Sequence, residues 1–545
     1  MPMDYRTLYD ILRGSVERFA TRTAFSLWQG EVEVTYAEVG RRVELVQQML
    51  LEAGLQPGDR VAILSSNTPN WGVCYFAITT AGYVAVPIVS ELTTEAIDNI
   101  ITHSEAKAMC VSDRLFTKVS KETLAKFNIV VRTKNLRILD QRVTVQGSAR
   151  RPQPEDLAAL LYTSGTTSQP KGVMLSHRSI VSQLPMIDNL LPMSEADICL
   201  SVLPLAHSYE CTLGFLVPFV HGAHIVYLDK APVPSVLMPA LRDVQPTIMF
   251  TVPLIIEKLY RREIRKRIVS NFMLRLLCKV GFSRRMLYHR AAAHLATLLG
   301  DRLRILGIGG AKLDSTVERF LKESAFSYTM LYGLTETAPL LAGTVGASRL
   351  GSTGPALRGV SVRLDHKNNR TGIGELVVKT PSLMMGYYKN EEATAEVVEA
   401  DGWFHTGDLA TIDGDGWIYI KGRKKNMIVG PNGENIYPED IEAMLNEHPA
   451  VSESIVVERA GQPVAFVCLD RELLEARYSD LAKSWRSKPS EWVDFRNELL
   501  DEIKRYTNAR VNPYSRIVDI FEEENELMKT GSNKIRRYMY NDRFK

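Results

Sequence analysis

LLYTSGTTSQPKGVMLSH, residues 160–177, breaks an apolar run with small and hydroxylated residues and then delivers a lysine. Leu157, Leu160, Leu161 and Tyr162 read as the end of a buried strand, and Val173-Met174-Leu175 as a second apolar run. The residues between them form a loop on a rigid base. That loop carries five hydroxyls, Thr163, Ser164, Thr166, Thr167 and Ser168, interleaved with Gly165 and closed by Pro170-Lys171-Gly172. Hydroxyls, glycine-exposed backbone N–H groups and one ammonium suit a polyphosphate. The Walker pattern does not fit. Counted from Gly165, its second glycine position holds Pro170, and Gly172 stands where a Ser or Thr should follow the lysine. By itself the stretch reads equally as a phosphate cradle or as a plain connection.

With 545 residues, 45% hydrophobic and 24% charged, the chain has the composition of a multidomain globular protein with a large core. No apolar run approaches a membrane span, and the opening MPMDYRTLYD has no signal-peptide core. The six cysteines contain no C-x-x-C pair, so neither disulfides nor zinc is expected, and a reducing cytoplasm is the simplest location. Charge is uneven. Residues 257–290 hold eleven Lys or Arg against two Glu, a local +9 in a chain of +3, leaving −6 elsewhere. Ile256, Tyr260, Ile264, Ile268, Phe272 and Leu276 recur every four residues there, which predicts an amphipathic helix. Two readings follow: a docked helix with a solvated basic face, or peripheral attraction to anionic lipid or an anionic ligand.

Strand and helix patterns alternate from Leu8 to about Tyr328. Thr7 is a cap candidate, Val61–Leu64 and Val84–Ile88 are strands, and Asn70–Tyr83 is a helix, which predicts parallel sheets with crossover helices. From Gly351 the texture becomes short strands separated by Gly, Asp and Asn, predicting an antiparallel, barrel-like piece. After the charged KGRKKN, residues 421–426, comes a small α/β unit with PEDIEAMLNEHP as a helix. The expected fold is therefore α/β. A large domain, residues 1–421, holds parallel-sheet subdomains and a small barrel-like subdomain; a small mobile domain spans 422–545.

Four further stretches carry chemistry. Gly309-Gly310-Ala311 follows the strand LRILGI and leaves room for a flat group. Tyr332-Gly333-Leu334-Thr335-Glu336-Thr337 sets a ring, a hydroxyl and a carboxylate in one turn; the ring suits stacking on a base and the carboxylate suits magnesium. Thr406-Gly407-Asp408 with Arg423 offers an acceptor for ribose hydroxyls. Lys529 to Arg537, KTGSNKIRR, places Lys534 in a loop. Singly, each has a plain reading as helix packing, turn, salt bridge or basic tail.

In this order, TSGTTSQPKG, YGLTET, GWFHTGDLATIDGDGWIYIKGR and GENIYPEDIE resemble the adenylate-forming superfamily of acyl-CoA synthetases, luciferases and adenylation domains, from Asn67-Thr68-Pro69-Asn70-Trp71 to the C-terminal lysine. VPLIIEKLY and its basic continuation are similar to the long-chain fatty-acid branch. The resemblance implies a ligase that converts a fatty acid, ATP-Mg²⁺ and CoA through acyl-AMP to acyl-CoA, releasing pyrophosphate and AMP. It implies that Thr163, Ser164, Gly165, Thr166, Thr167 and Lys171 cradle the phosphates and that Glu336, with Thr166, holds magnesium. Thr335 would touch the α-phosphate, and Tyr332 and Gly333 the adenine beside Gly309, Gly310 and Ala311. Asp408 and Arg423 would take the ribose, and Lys534 would bridge carboxylate and α-phosphate. His207 would lie on the acyl side, Gly433 and Glu434 on the CoA side, and Lys425 at the hinge.

Two residues depart from the family pattern. Ser168 stands at a usual glycine, costing about 1 kcal/mol if that position is left-handed, and Asn533 at another, where asparagine is better tolerated. Neither removes a functional group. The acceptor thiol stays open between CoA and the phosphopantetheine of a carrier protein. A non-catalytic adenylate-binding protein is the competing class, but it should have lost Glu336 or Lys534.

Overall fold

The computed structural model describes residues 5–30, 33–163, 171–278, 280–345, 349–430, 434–471, 474, 489–529, 535–541 and 543. Thr7 caps the first helix, Leu8–Phe19. Its side chain accepts from Asp10 N, and the Asp10 carboxylate reaches back to the Thr7 N–H, a reciprocal capping box. The next residues feed two eight-stranded, mostly parallel sheets. In the first, the strands Leu157–Thr163, Val84–Pro87, Arg60–Leu64, Ala108–Val111 and Ile129–Arg132 run parallel. Lys171–Ser176 and Arg137–Gln141 lie antiparallel beyond the two ends of that run. In the second, Thr329–Gly333, Ile305–Gly309, Ile248–Thr251, Ile198–Ser201, His224–Tyr227 and Thr23–Leu27 are parallel. The helix Pro69–Thr80 is buried along its whole length from Asn70, as expected of a helix with apolar residues all round that lies between layers.

The expected antiparallel subdomain is present. Gly354–Pro355, Trp417–Arg423, Phe404–Ile412, Gly374–Lys379 and Ser361–Asp365 form one five-stranded antiparallel sheet with two free ends. The C-terminal unit has a three-stranded sheet, Val451–Arg459, Gln462–Leu469 and Asp519–Glu522, packed on the helices Pro438–Glu447 and Pro489–Asn508. The fold is thus α/β, with parallel-sheet subdomains, an antiparallel subdomain and a small C-terminal α/β unit. Among the described residues no helix is long and apolar enough to cross a membrane.

The basic segment departs from the expected single helix. Pro253–Leu259 passes into a wide π turn, Tyr260–Arg265, then Lys266–Ser270, and breaks at Asn271 before Phe272–Leu277. A strict four-residue repeat drifts around a 3.6-residue helix, and a π turn absorbs the drift. Ile256, Tyr260 and Ile264 are buried as expected, but Leu276 is exposed.

Candidate active site

Open α/β sheets usually bind ligands in the cleft at the C-terminal ends of their strands. Thr163 closes such a strand in the first sheet and Gly333 in the second, and Tyr387 bridges the two ends through Lys171 and Glu336. In the first sheet Thr163 pairs with Lys171 across the strands Leu157–Thr163 and Lys171–Ser176. These strands fix the two feet of the hydroxyl-rich loop; Ser164, Gly165, Thr166, Thr167 and Ser168 lie outside the described residues. In the second sheet Gly309 sits opposite Leu331, one residue before Tyr332. A side chain at Gly309 would meet the Tyr209 ring at 2.9 Å and the Leu331 carbonyl at 3.0 Å. Gly310 follows with φ +85°, a left-handed conformation, and Gly310 and Ala311 form an exposed edge.

The turn after Tyr332 is held from several sides. A Cβ on Gly333 would stand 1.8 Å from the Pro339 carbonyl, so only glycine lets this turn close. Buried Gln183 donates to the Thr337 and Leu340 carbonyls, both at 3.1 Å, and accepts from the Leu340 N–H at 2.9 Å. Thr335 and Glu336 are half-buried. Tyr387 Oη donates to Glu336 Oε1 at 3.0 Å, and Lys171 Nζ lies 4.8 Å from the same ring centroid. Tyr387 is carried by a strap that leaves the antiparallel subdomain and pairs with the first sheet, Gly386 opposite Met174 and Tyr387 opposite Val173. The Met384 N–H of that strap also donates to the Glu336 carbonyl at 2.8 Å. Burial, then the Glu336 charge, pushes the Tyr387 phenol well up, so it stays a neutral donor.

A second cluster adjoins the first. Asp408 and Arg423 face each other across Phe404–Ile412 and Trp417–Arg423 and pair at 2.7 Å, while Tyr332 Oη donates to the other Asp408 oxygen at 2.6 Å. Burial works against the Arg423 charge, but Asp408, Tyr332 and Glu336 outweigh it and raise its pKa. Burial and Asp408 likewise hold the Tyr332 phenol protonated. The arrangement offers a cation and a carboxylate at one end and a ring with a carboxylate–guanidinium pair at the other. It suits an elongated anion with a flat head.

The AMP-binding enzyme family matches residues 12–388. The chain belongs to this family. Feruloyl-CoA synthase from Amycolatopsis is 30% identical over 446 residues, spanning 80% of this chain and 82% of that one. The long-chain-fatty-acid–CoA ligase heimdall of Drosophila melanogaster is 27% identical over 510 residues, spanning 83% and 74%. The crystal structure of the anthranilate CoA ligase AuaEII in complex with anthranoyl-AMP superposes with a TM-score of 0.79 at 21% identity, covering 100% of this chain and 98% of that one. This AMP-binding enzyme is an adenylate-forming acid–CoA ligase.

Within it, Thr163, Lys171, Gly309, Gly310, Ala311, Tyr332, Gly333, Thr335, Glu336, Asp408 and Arg423 are all described around the cleft. His207 precedes the short helix Ser208–Glu210, on a loop that Asn67 ties down by donating to the Leu203 carbonyl at 2.6 Å and accepting from the Leu205 N–H at 3.0 Å. Lys425 is exposed in the 3₁₀ turn Lys424–Asn426. Glu434 starts the return of a small hairpin, its carbonyl accepting from the Gly430 N–H at 2.8 Å. Gly433, Asn533 and Lys534 lie outside the described residues. Sequence reasoning missed Tyr387, which MMGYY presents as an ordinary strand end, and Tyr209, whose ring packs on Gly309 two residues after His207. A second aromatic close to each motif was the only available signal.

Buried Glu210 lies one residue further. Ser201 Oγ donates to it at 2.6 Å, yet burial pushes its carboxyl up to about 8 from 4.5. Between these values the folded chain keeps a proton that the unfolded chain has released, so stability falls as pH rises across that window and levels off above it. Glu210→Gln should flatten the dependence of Tm on pH between 4.5 and 8. An unchanged slope in thermal scans would rule out a protonated Glu210.

Proposed function

We propose that the chain is a fatty-acid–CoA ligase acting in the cytoplasm. The observation that carries the adenylating half is the pairing of two clusters in one cleft, Lys171–Tyr387–Glu336 and Tyr332–Asp408–Arg423. Both reacting groups are anionic, so catalysis is chiefly positioning and charge stabilisation. ATP would enter as its magnesium complex, for which Glu336 and Thr166 would supply oxygen ligands, while Lys171 and the Thr163–Thr167 hydroxyls would hold the β- and γ-phosphates. The half-buried Glu336 carboxylate, steadied by the Tyr387 hydroxyl, is the hard oxygen ligand magnesium takes. Adenine lies against Tyr332 and the Gly309–Ala311 edge, and the ribose hydroxyls bind Asp408 and Arg423.

In the first step a carboxylate oxygen bonds to the α-phosphorus as the bond to the bridging oxygen breaks and pyrophosphate leaves. Thr335 and Lys534 contact the α-phosphate. In the second, the CoA sulfur bonds to the acyl carbon, the acyl–phosphate C–O bond breaks, AMP leaves with the electron pair, and the thiol proton passes to water. No general base is required for the first step, because the acid is already ionised; His207 positions the acyl side. Residues 422–545 turn on Lys425 against residues 1–421 to bring Gly433 and Glu434 to the thiol.

The long-chain reading is supported by VPLIIEKLY and by likeness to long-chain ligases; the likeness to a feruloyl-CoA synthase favours an aryl acid as the second reading. ATP–pyrophosphate exchange across acetate, octanoate, oleate and ferulate tests both. Oleate or octanoate should give the highest kcat/KM, with AMP as product and free CoA preferred over acyl-carrier protein. Highest activity with ferulate would establish the second reading, and ADP in place of AMP would defeat both. Peripheral contact of residues 257–290 with an anionic membrane completes the proposal.

A further inference from the structure

The crossover from the Ile248–Thr251 strand to Ile305–Gly309 divides into two halves of different character. In the first, the basic residues are engaged within the protein. Arg261 bonds the Ser452 carbonyl and faces Asp314 at 4.0 Å, buried Arg265 donates to the Glu447 carbonyl at 3.3 Å, and Lys258 lies 3.8 Å from Glu526. The second half begins at Asn271, whose side chain accepts from the Met273 and Leu274 N–H groups and starts a new helix. On that helix, Phe272–Leu277, the exposed Met273, Leu276 and Leu277 fall at 3–4 spacing on one face. Val280 follows, and then Phe282 and Met286 on the helix Gly281–Leu298.

These are six of the eighteen large apolar side chains exposed among the described residues, gathered within 273–286; Phe282 is 82% and Met273 69% exposed. Scattered exposed apolar residues need no explanation, but a concentration does. The mount is firm. Tyr288 meets Phe320 edge-on at 5.1 Å, and Arg284 pairs with Glu323 through two bonds of 2.7 and 2.9 Å. Phe282, Arg285, Met286, His289 and Arg290 share the exposed face of the longer helix, and residues 271–290 contain no Asp or Glu.

We propose that these two successive helices dock the enzyme on an anionic lipid bilayer. Phe282, Met286 and the Met273–Leu277 face enter the acyl region, and Arg285 and Arg290 lie at the level of the lipid phosphates. An apolar tip flanked by unopposed cations is the complement of such a surface. A second copy is disfavoured as the occupant, because a two-fold contact would set cationic face against cationic face. The inference narrows the peripheral contact proposed above to residues 271–290 and does not depend on which acid is activated. The same crossover starts beside the cleft: Val252 lies 3.6 Å from where a Gly310 Cβ would stand. Docking therefore holds the site near the phase in which long-chain acids dissolve.

The full chain should co-sediment with vesicles of phosphatidylglycerol and phosphatidylcholine, weakly with phosphatidylcholine alone, and less as salt rises. Phe282→Asp should weaken binding by roughly tenfold or more, since burial of that ring is lost. Arg285→Glu with Arg290→Glu should abolish the preference for the anionic vesicles. Both variants should keep wild-type ATP–pyrophosphate exchange with octanoate in solution, since the changes lie on an exposed face away from the cleft. Wild-type protein that ignores anionic vesicles, or Phe282→Asp protein that binds as wild type does, overturns the proposal. So does a vesicle-free dimer in sedimentation velocity that Phe282→Asp dissolves. Vesicle binding without exchange on any acid would sink the ligase reading and leave the docking surface supported.

Discussion

Glu336→Gln should slow ATP–pyrophosphate exchange by roughly 10²–10³-fold, the usual cost of removing one preorganised charge-stabilising group from a transfer site. The variant keeps the shape of the side chain and an oxygen that can still accept from Tyr387, so folding should survive. What it loses is the negative charge that the proposed magnesium site requires, and more magnesium should be needed for half-maximal rate. Tyr387→Phe probes the same carboxylate indirectly. The ring stays beneath Lys171, 4.8 Å away, but the 3.0 Å bond that orients Glu336 is gone. Loss of such an outer partner costs about tenfold. Because both changes act through one carboxylate, the double variant should be little worse than Glu336→Gln alone. Wild-type exchange and magnesium dependence in Glu336→Gln would remove Glu336 from the site.

Tyr387 also marks where the sequence stops being legible. Contiguous motifs can be read because chain neighbours stay neighbours: Thr163 and Lys171 frame one loop, and Tyr332 and Glu336 share one turn. The Gly386–Tyr387 strap is only two residues long, and it pairs with Val173 and Met174 after the chain has passed through the second sheet. Nothing in its local pattern encodes that partner. The antiparallel subdomain was legible as strands and turns, while its closure was not. Alternation and turn residues predict short antiparallel strands, but closure depends on whether the first and last strands meet, a tertiary outcome.

The basic segment shows a different limit. Its four-residue apolar repeat was read as one helix, and the repeat correctly marks Ile256, Tyr260 and Ile264 as core. Past Asn271 the same repeat reaches Leu276, which is exposed. Periodicity identifies a face but not what covers it. Burial of the early Arg261 and Arg265 among C-terminal backbone carbonyls was equally hidden, since net charge does not distinguish a solvated guanidinium from one that joins two units.

Lys425→Pro should separate the two half-reactions. The small C-terminal unit is held here by polar contacts: Lys424 to Glu375 at 2.7 Å, Arg265 to the Glu447 carbonyl at 3.3 Å, and Lys312 to Asp440 at 3.3 Å. The last of these joins the Pro438–Glu447 helix to Lys312, next in sequence to the Gly309–Ala311 edge. Contacts of this kind are individually weak, which suits the re-orientation proposed above. The arrangement depends on the 3₁₀ turn Lys424–Asn426. Proline at 425 fits a helical φ at its own position but drives residue 424 out of the helical region. The thiol-facing orientation is therefore penalised. Thioester formation from preformed acyl-AMP should fall by roughly 10²-fold, the scale of a displaced reacting group, while adenylation stays within a few-fold of wild type. Lys534→Ala should do the reverse. Removing the ammonium proposed to bridge carboxylate and α-phosphate should cost adenylation roughly 10²–10³-fold and spare the thioester step. Single-turnover assays of each half-reaction on both folded variants decide the matter. Parallel loss of the two activities in each would mean that one orientation serves both steps and that Lys425 is not a hinge.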